Sequence, residues 1–316
     1  MELSPDQRQI RDFYFKEALG LAADRNFLHA ASRFAPERIF TLEDLRRHVN
    51  APSLDLNYLA VFRGGKPVDL AEAACFKVVQ RRKIPFVDRR VLERHFAAGA
   101  ACVLEGVDVL EPGINALATA IDRAQAASFS NATVFFSQHG NEAYRGHADT
   151  DDVLVLHLAG EKKWRLHHRL PPRRTNLNEL NEAQMGPLGA EVTMRPGDLM
   201  FVRSYTPHRV QTLTPWSLHL SFDLCDRTVN VETALDALVK RFDQDAAYPL
   251  TPTAAVLHKL QALAADPRFA EDIARLQAQE RAGHEEFRRL VASNRVAFFD
   301  RYIAEAARAR GALQPR

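Results

Sequence analysis

The sequence predicts a mainly β core with helices on either side of it, and three observations carry that prediction. Between Thr133 and Leu224 short apolar runs recur with turn signals between them, the spacing of an all-β region. The segments before this stretch hold apolar residues at helical intervals, broken by two short strand-like runs. After Asp226 no strand signal returns. The expected division is therefore residues 1–226 for a β domain with helical N-terminal support and residues 227–316 for a helical domain.

Taken in order, residues 5–33 read as helical, with Ile10, Phe13, Phe15, Ala18, Leu19 and Leu21 in an irregular amphipathic pattern. Thr41 to Val49 forms a second short helix, in which Thr41 caps the amides of the first turn and Asp44 completes the pair. Tyr58 to Phe62 reads as a strand entering a hairpin at Arg63-Gly64-Gly65-Lys66. Val87 to Ala98 is helical and Ala101 to Leu104 is a short strand. The β region then supplies strands at Thr133 to Ser137, Val153 to Leu158, Trp164 to Leu166, Val192 to Met194, Leu199 to Val202 and Ser217 to Leu224. In the tail, Thr251-Pro252 and Asp266-Pro267 each place a capping residue before a proline at the first helical position. Phe287, Leu290, Val291, Phe298, Tyr302 and Ile303 follow at helical spacing.

The charge balance, 42 basic against 40 acidic side chains, leaves +2, which speaks neither for a nucleic-acid partner nor for an acidic solubiliser. The densest basic stretches are Arg81-Arg82-Lys83 with Arg89-Arg90, and Arg165 to Arg174; both read as solvated faces, with an acidic partner as the other reading. No uncharged apolar run approaches the roughly 18 residues of a membrane span, and the first twenty residues are interrupted by Asp6, Arg8, Arg11, Asp12 and Lys16, so a cytoplasmic protein without membrane contact is expected. Cys75, Cys102 and Cys225 stand singly in apolar surroundings, which reads as small buried hydrophobes and not as a disulfide framework or thiolate metal site.

The chemistry lies in the β region. In His147-Ala148-Asp149 an imidazole and a carboxylate two residues apart point to the same side of an extended chain. His208, just past the strand Leu199 to Val202, offers a second imidazole. Two histidines and one carboxylate on one face of a metal, with open positions opposite, is the ligand set of non-haem Fe(II) oxygenases, although a His-x-Asp tripeptide also arises by chance. Strand parity singles out Lys162, which shares a face with Trp164 and Leu166. An amine projecting into an apolar interior requires an anion, a lost proton, or a route to water at the strand end. Ser217, His219, Ser221 and Asp223 alternate with Leu218, Leu220, Phe222 and Leu224; the polar face is wet in a sandwich and lines the cavity in a barrel.

Beyond these single features, the stretch from His147 through Asp149, the apolar strand Val153 to Leu158, the Gly160 turn and Lys162-Lys163-Trp164-Arg165 resembles, in order and spacing, the JmjC-type 2-oxoglutarate oxygenases of the cupin superfamily, in particular the ribosomal-oxygenase-like group. Pro196-Gly197-Asp198, His208 and Ser217 to Phe222 resemble that group's later strands. Weaker echoes reach back to Phe40, to the Arg63 to Val68 turn and to Gly99–Gly106 ahead of a helix.

The resemblance implies a double-stranded β-helix, the cupin/JmjC barrel, in which His147, Asp149 and His208 hold Fe(II) and Lys162 binds the distal carboxylate of the cosubstrate 2-oxoglutarate. Thr133 and Phe135 stand where the group commonly has asparagine and tyrosine, so Thr133, Ser217 or His219 is expected to replace the missing phenol contact. His157 replaces a glutamine and either lines the cavity or is a core histidine; Tyr144 and Arg145 are candidates for substrate contact. The implied activity is a dioxygenase that hydroxylates a side chain of a protein or peptide, with ribosomal proteins one class. The competing readings are an oxygenase tailoring a small molecule or peptide natural product, and a cupin module that binds metal without turnover. The helical tail is expected to form a homodimer through Phe287, Leu290 and Phe298.

Overall fold

A computed structural model of the chain describes residues 2–51, 54–123, 128–138, 144–171, 177, 179–226, 258, 261–262 and 264–293. The Thr251-Pro252 helix start, the Arg173-Arg174 end of one basic stretch, and Phe298, Tyr302 and Ile303 lie outside the described residues. The chain divides into two compact units, one built on Met1–Gln125 and Ser130–Cys225, the other on Ala126–Phe129 and Asp226–Arg316.

In the first unit, α1 (Pro5–Phe13) opens on a capping box in which Ser4 and Gln7 satisfy each other's amides, with Pro5 at the first helical position. The same device, made by Thr41 and Asp44, starts α2 (Leu42–Val49). Asp88 caps α3 (Arg89–Ala97), and α4 (Val107–Leu110) and α5 (Pro112–Asp122) follow Gly106, whose φ of 63° suits a residue without a side chain. The helix expected across residues 5–33 stops early: α1 passes through a π turn at Tyr14–Ala18, and Phe27–Ala30 forms strand β1. The polar run Asp24 to Asn26 breaks the amphipathic pattern, and β1 pairs with the otherwise free edge of a later strand, Ala30 opposite Leu199.

The remaining strands are β2 (Leu59–Arg63), β3 (Lys66–Pro67), β4 (Ala74–Val79), β5 (Arg82–Val87), β6 (Ala101–Leu104), β7 (Ser128–Gln138), β8 (Asp152–Ala159), β9 (Lys162–His167), β10 (Leu188–Met194), β11 (Leu199–Val202), β12 (His208–Thr212) and β13 (Trp216–Asp226). Eight form one sheet in the order β1-β11-β8-β13-β7-β6-β2-β3, and β10-β9-β12 form a second. This is the jelly-roll barrel. Its central strand β8 is buried on both faces. Leu154, Leu156 and Leu158 pack with Ile10, Phe13, Ile114 and Leu117, whereas Val153 and Val155 face Trp164, Leu166 and Met194 of the second sheet. That interior explains the continuous apolar run read at Val153 to Leu158. A separate two-stranded sheet, β4 with β5, was not expected.

In the second unit the described helix Pro267–Ser293, called α7 because Glu182–Met185 forms α6, begins after Asp266, whose carboxylate accepts the Arg268 amide. Phe287 and Leu290 on α7 are exposed. No helix among the described residues is long and apolar enough to cross a membrane.

Candidate metal centre

His147 and His208 are joined by an isolated antiparallel bridge, each donating its backbone N–H to the other's carbonyl at 3.1 and 2.8 Å. His208 is the first residue of β12, a strand the sequence reading missed because its pattern, His-Arg-Val-Gln-Thr, is mostly polar. Each imidazole is fixed by its own backbone: Nδ1 of His147 donates to the Arg145 carbonyl at 2.8 Å and Nδ1 of His208 to the Thr206 carbonyl at 3.0 Å. A carbonyl only accepts, so both Nδ1 atoms carry hydrogen and both Nε2 lone pairs are free. Each Nε2 lies 3.7 Å from an oxygen of Asp149, and ligand atoms of the three residues fall within 4.8 Å of one another. Burial, reinforced by His147, brings His208 down to about 4, which keeps it neutral and able to ligate.

The loop carrying His147 is clamped. Leu180 donates to the Gly146 carbonyl and Ala148 to the Leu177 carbonyl, while Ala148, Leu177, Leu180 and Met185 form a small apolar cluster. A Cβ at Gly146 would sit 2.6 Å from Met185 Sδ and 3.0 Å from the Leu180 carbonyl, so any side chain there requires Met185 and the loop to shift. On the other side Tyr205, held at φ 60°, donates its amide to the Asp149 carbonyl at 2.7 Å.

A cavity of about 450 Å³ adjoins these ligands. Lys162 lines it, 2% exposed, on the same inner face as Trp164, as strand parity indicates. Its Nζ donates to His219 Nδ1 at 2.7 Å and lies 3.5 Å from Ser137 Oγ; neither partner is an anion. Burial draws Lys162 down to about 7 and drives His219 well below the usual imidazole range, the amine beside it adding to the effect. Phe135 stacks on His219 with centroids 4.7 Å apart, and Trp164 stacks on His208 at 5.3 Å.

The other expected residues separate into those inside and those outside the cavity wall. Tyr144 lines it and packs on Phe62 and His147. Arg145 does not; its side chain lies over Gly65 and its carbonyl orients His147. His157 is a core histidine, fully buried, donating from Nε2 to the Gly160 carbonyl. Thr133 and Ser217 are buried but do not line the cavity; Ser217 shares a hydrogen bond with Thr212, which does. His167 is buried at the end of β9, its Nδ1 donating to the Gly186 carbonyl. Ser137 and Thr212 were missed as wall residues, and Asp223 also lines the cavity. Asp223 belongs to the polar face of β13 already visible in the sequence, and burial, with Asp149, Asp151 and Glu105 adding to it, raises its carboxyl to about 7.

A jelly-roll barrel that brings two imidazoles and a carboxylate within reach of one ion, beside a cavity lined by a buried lysine, has the fold of the cupin class and a donor set that could hold a metal. Residues 111–231 match the JmjC domain family model, and the chain carries a JmjC domain. It is similar to Ribosomal oxygenase 2 of Bos taurus, 31% identical over 85 residues, 27% of this chain and 18% of that protein. It is also similar to Ribosomal oxygenase 2 of Mus musculus, 25% identical over 113 residues, 35% of this chain and 24% of that protein. The matched region thus spans less than a quarter of the length of these relatives. Among solved structures it resembles Escherichia coli YcfD, with a TM-score of 0.52 at 14% identity, covering 87% of this chain and 72% of that one. A structure of YcfD, a ribosomal oxygenase, in complex with cobalt and 2-oxoglutarate has a TM-score of 0.52 at 13% identity, covering 83% and 70%. At such identities these likenesses establish the shared fold.

Proposed function

We propose that the chain is an Fe(II)- and 2-oxoglutarate-dependent dioxygenase that hydroxylates a side chain of a protein or peptide, a ribosomal protein being the first class to test. The observation that carries this reading is the pairing of a two-histidine, one-carboxylate cluster with a buried lysine that has no anionic partner among the described residues. The donor set fits iron: neutral nitrogen and ionised oxygen suit Fe(II), and three protein ligands leave positions open. Lys162 supplies the charge a diacid needs at its far end, at the bottom of a cavity with room for it. The cobalt and 2-oxoglutarate complex of the similar YcfD supports the same pairing of metal and cosubstrate here.

In this reading His147, Asp149 and His208 hold the metal, and Lys162, with His219 and Ser137 orienting its amine, holds the cosubstrate's distal carboxylate. The metal and cosubstrate, when bound, supply the oxidising power to insert one oxygen atom of O2 into an unactivated C–H bond, with 2-oxoglutarate leaving as succinate and CO2. The protein's own work is positioning and exclusion of water. Val153, Trp164, Val202 and Phe135 present apolar wall to the site, and Phe62, Gly65 and Pro67 of the β2–β3 hairpin, with Tyr144 from the segment before His147, add a second wall. No side-chain general base is required. A cytoplasmic enzyme that dimerises through its helical unit completes the proposal, supported by the exposed Phe287 and Leu290 on α7. The test is succinate release that depends on both Fe(II) and 2-oxoglutarate, followed by mass spectrometry of ribosomal proteins and peptides for a hydroxylation lost in cells lacking this chain. Succinate release absent under all conditions would refute the enzyme.

A further inference from the structure

The β4–β5 hairpin stands apart from both sheets of the barrel. Of the ten large apolar side chains exposed among the described residues, five lie in its fourteen positions: Phe76, Val78, Val79, Ile84 and Phe86. Phe76 is 57% and Phe86 45% exposed. A lone two-stranded ribbon is marginal in water, and one with apolar groups on both faces is more so, which marks a surface built to be covered. The same fourteen residues carry Lys77, Arg81, Arg82 and Lys83 and no acid. The chain-wide balance of +2, from which no nucleic-acid partner was expected, averages this concentration away.

The pairing register arranges these groups. Phe86, Ile84 and Val79 share one face with Lys77 and Arg82, and Phe76 and Val78 share the other with Lys83, whose Nζ lies 5.8 Å from the Phe76 ring centre. The turn residues Gln80 and Arg81 sit at φ 48° and 67°, where hairpins favour Asn-Gly. A cation is thus kept at the tip at a conformational cost that glycine would remove. Edge protection alone would explain the charges but calls for polar faces, not exposed rings. A membrane-dipping hairpin would lead with apolar residues, whereas this one leads with Gln80, Arg81 and Arg82.

We infer that the β4–β5 hairpin binds single-stranded RNA that crosses the ribbon, its cations meeting phosphates while Phe76 on one face and Phe86 on the other each stack on a base. This surface does not depend on the metal centre, so either proposal can fail without the other. The test is fluorescence anisotropy of a labelled mixed-sequence RNA dodecamer with the full chain. Binding is expected on the order of 10 µM at low salt, with a log–log salt slope of about −2 to −3. The triple variant Arg81→Ala, Arg82→Ala, Lys83→Ala should flatten the slope by about 2. The variant Phe76→Ala, Phe86→Ala should weaken binding about fivefold or more at unchanged slope. All these positions are exposed, and unchanged unfolding midpoints in the variants would show that folding is intact. Overturning results are an absence of binding at low salt, ring variants that bind as the wild type does, displacement of the RNA by a glutamate-rich peptide of equal charge, or retention on phosphatidylserine vesicles without RNA binding.

Discussion

His147 and His208 exchange both backbone hydrogen bonds, so the two nitrogen ligands are held by main chain before any metal arrives. The third ligand, Asp149, is tied through its carbonyl to the Tyr205 amide, on the same segment that leads into His208. A site so fixed binds metal at little conformational cost, and binding to the folded state alone raises stability. Fe(II) or cobalt at about one hundred times its dissociation constant should raise the unfolding midpoint by about 5–10 °C, and a chelator should reverse it. His147→Ala should show no such shift in thermal unfolding with and without metal; a full shift in that variant would remove the ligand assignment.

Gly146 offers a subtler probe of the same centre. The contacts a methyl group would make with Met185 and the Leu180 carbonyl push the His147 loop outward while leaving all three ligands in the chain. Gly146→Ala should lower metal affinity about 10- to 100-fold, the scale of lost ligand orientation. The restoring variant pairs it with Met185→Ala. Isothermal titration with cobalt measures both, and wild-type affinity in Gly146→Ala would mean the loop is free to adjust.

Lys162 is destabilising without its ligand, because its buried charge has no anionic partner among the described residues. Its folded value is about 7 against 10.5 in the unfolded chain. Below pH 7 both states carry the proton and the folded state bears the full burden. Between pH 7 and 10.5 the unfolded state binds more protons, so stability rises with pH. Lys162→Met, which keeps the volume and removes the amine, should therefore be more stable than wild type, with the gap widest below pH 7 and closing by pH 10.5. The same variant should raise the KM for 2-oxoglutarate at least tenfold. Denaturant midpoints across pH and succinate kinetics measure the two effects; a gap that grows with pH would contradict the assignment.

In the β4–β5 hairpin, Arg81→Gly removes a side chain from a left-handed position and should stabilise the chain by up to about 1 kcal/mol. Chemical denaturation reads this directly, and a loss of stability would mean that Arg81 makes a contact worth more than its strain.

Much of this was legible from residues alone. Strand parity placed Lys162 beside Trp164 on the inner face, and alternation in Ser217 to Leu224 separated the polar face that carries His219, Ser221 and Asp223. Capping chemistry located α2 at Thr41 and α7 after Asp266. What stayed hidden depends on partners distant in the chain. β1 looks helical because its pairing with β11 is visible only in three dimensions. β12 lacks apolar alternation because one of its inward residues is the metal ligand itself. Thr133 and Ser217 share faces with true wall residues, and their depth along the strand, which parity cannot report, leaves them outside the cavity.

The most direct measurement is an anaerobic titration of the chain with Fe(II) and then 2-oxoglutarate, followed in the visible region. A weak charge-transfer band should appear in the wild type, vanish in Asp149→Ala, and in Lys162→Met require at least tenfold more 2-oxoglutarate to reach the same intensity. A wild-type spectrum that stays flat, or a band indifferent to both substitutions, would contradict a site in which these three ligands and this lysine act together.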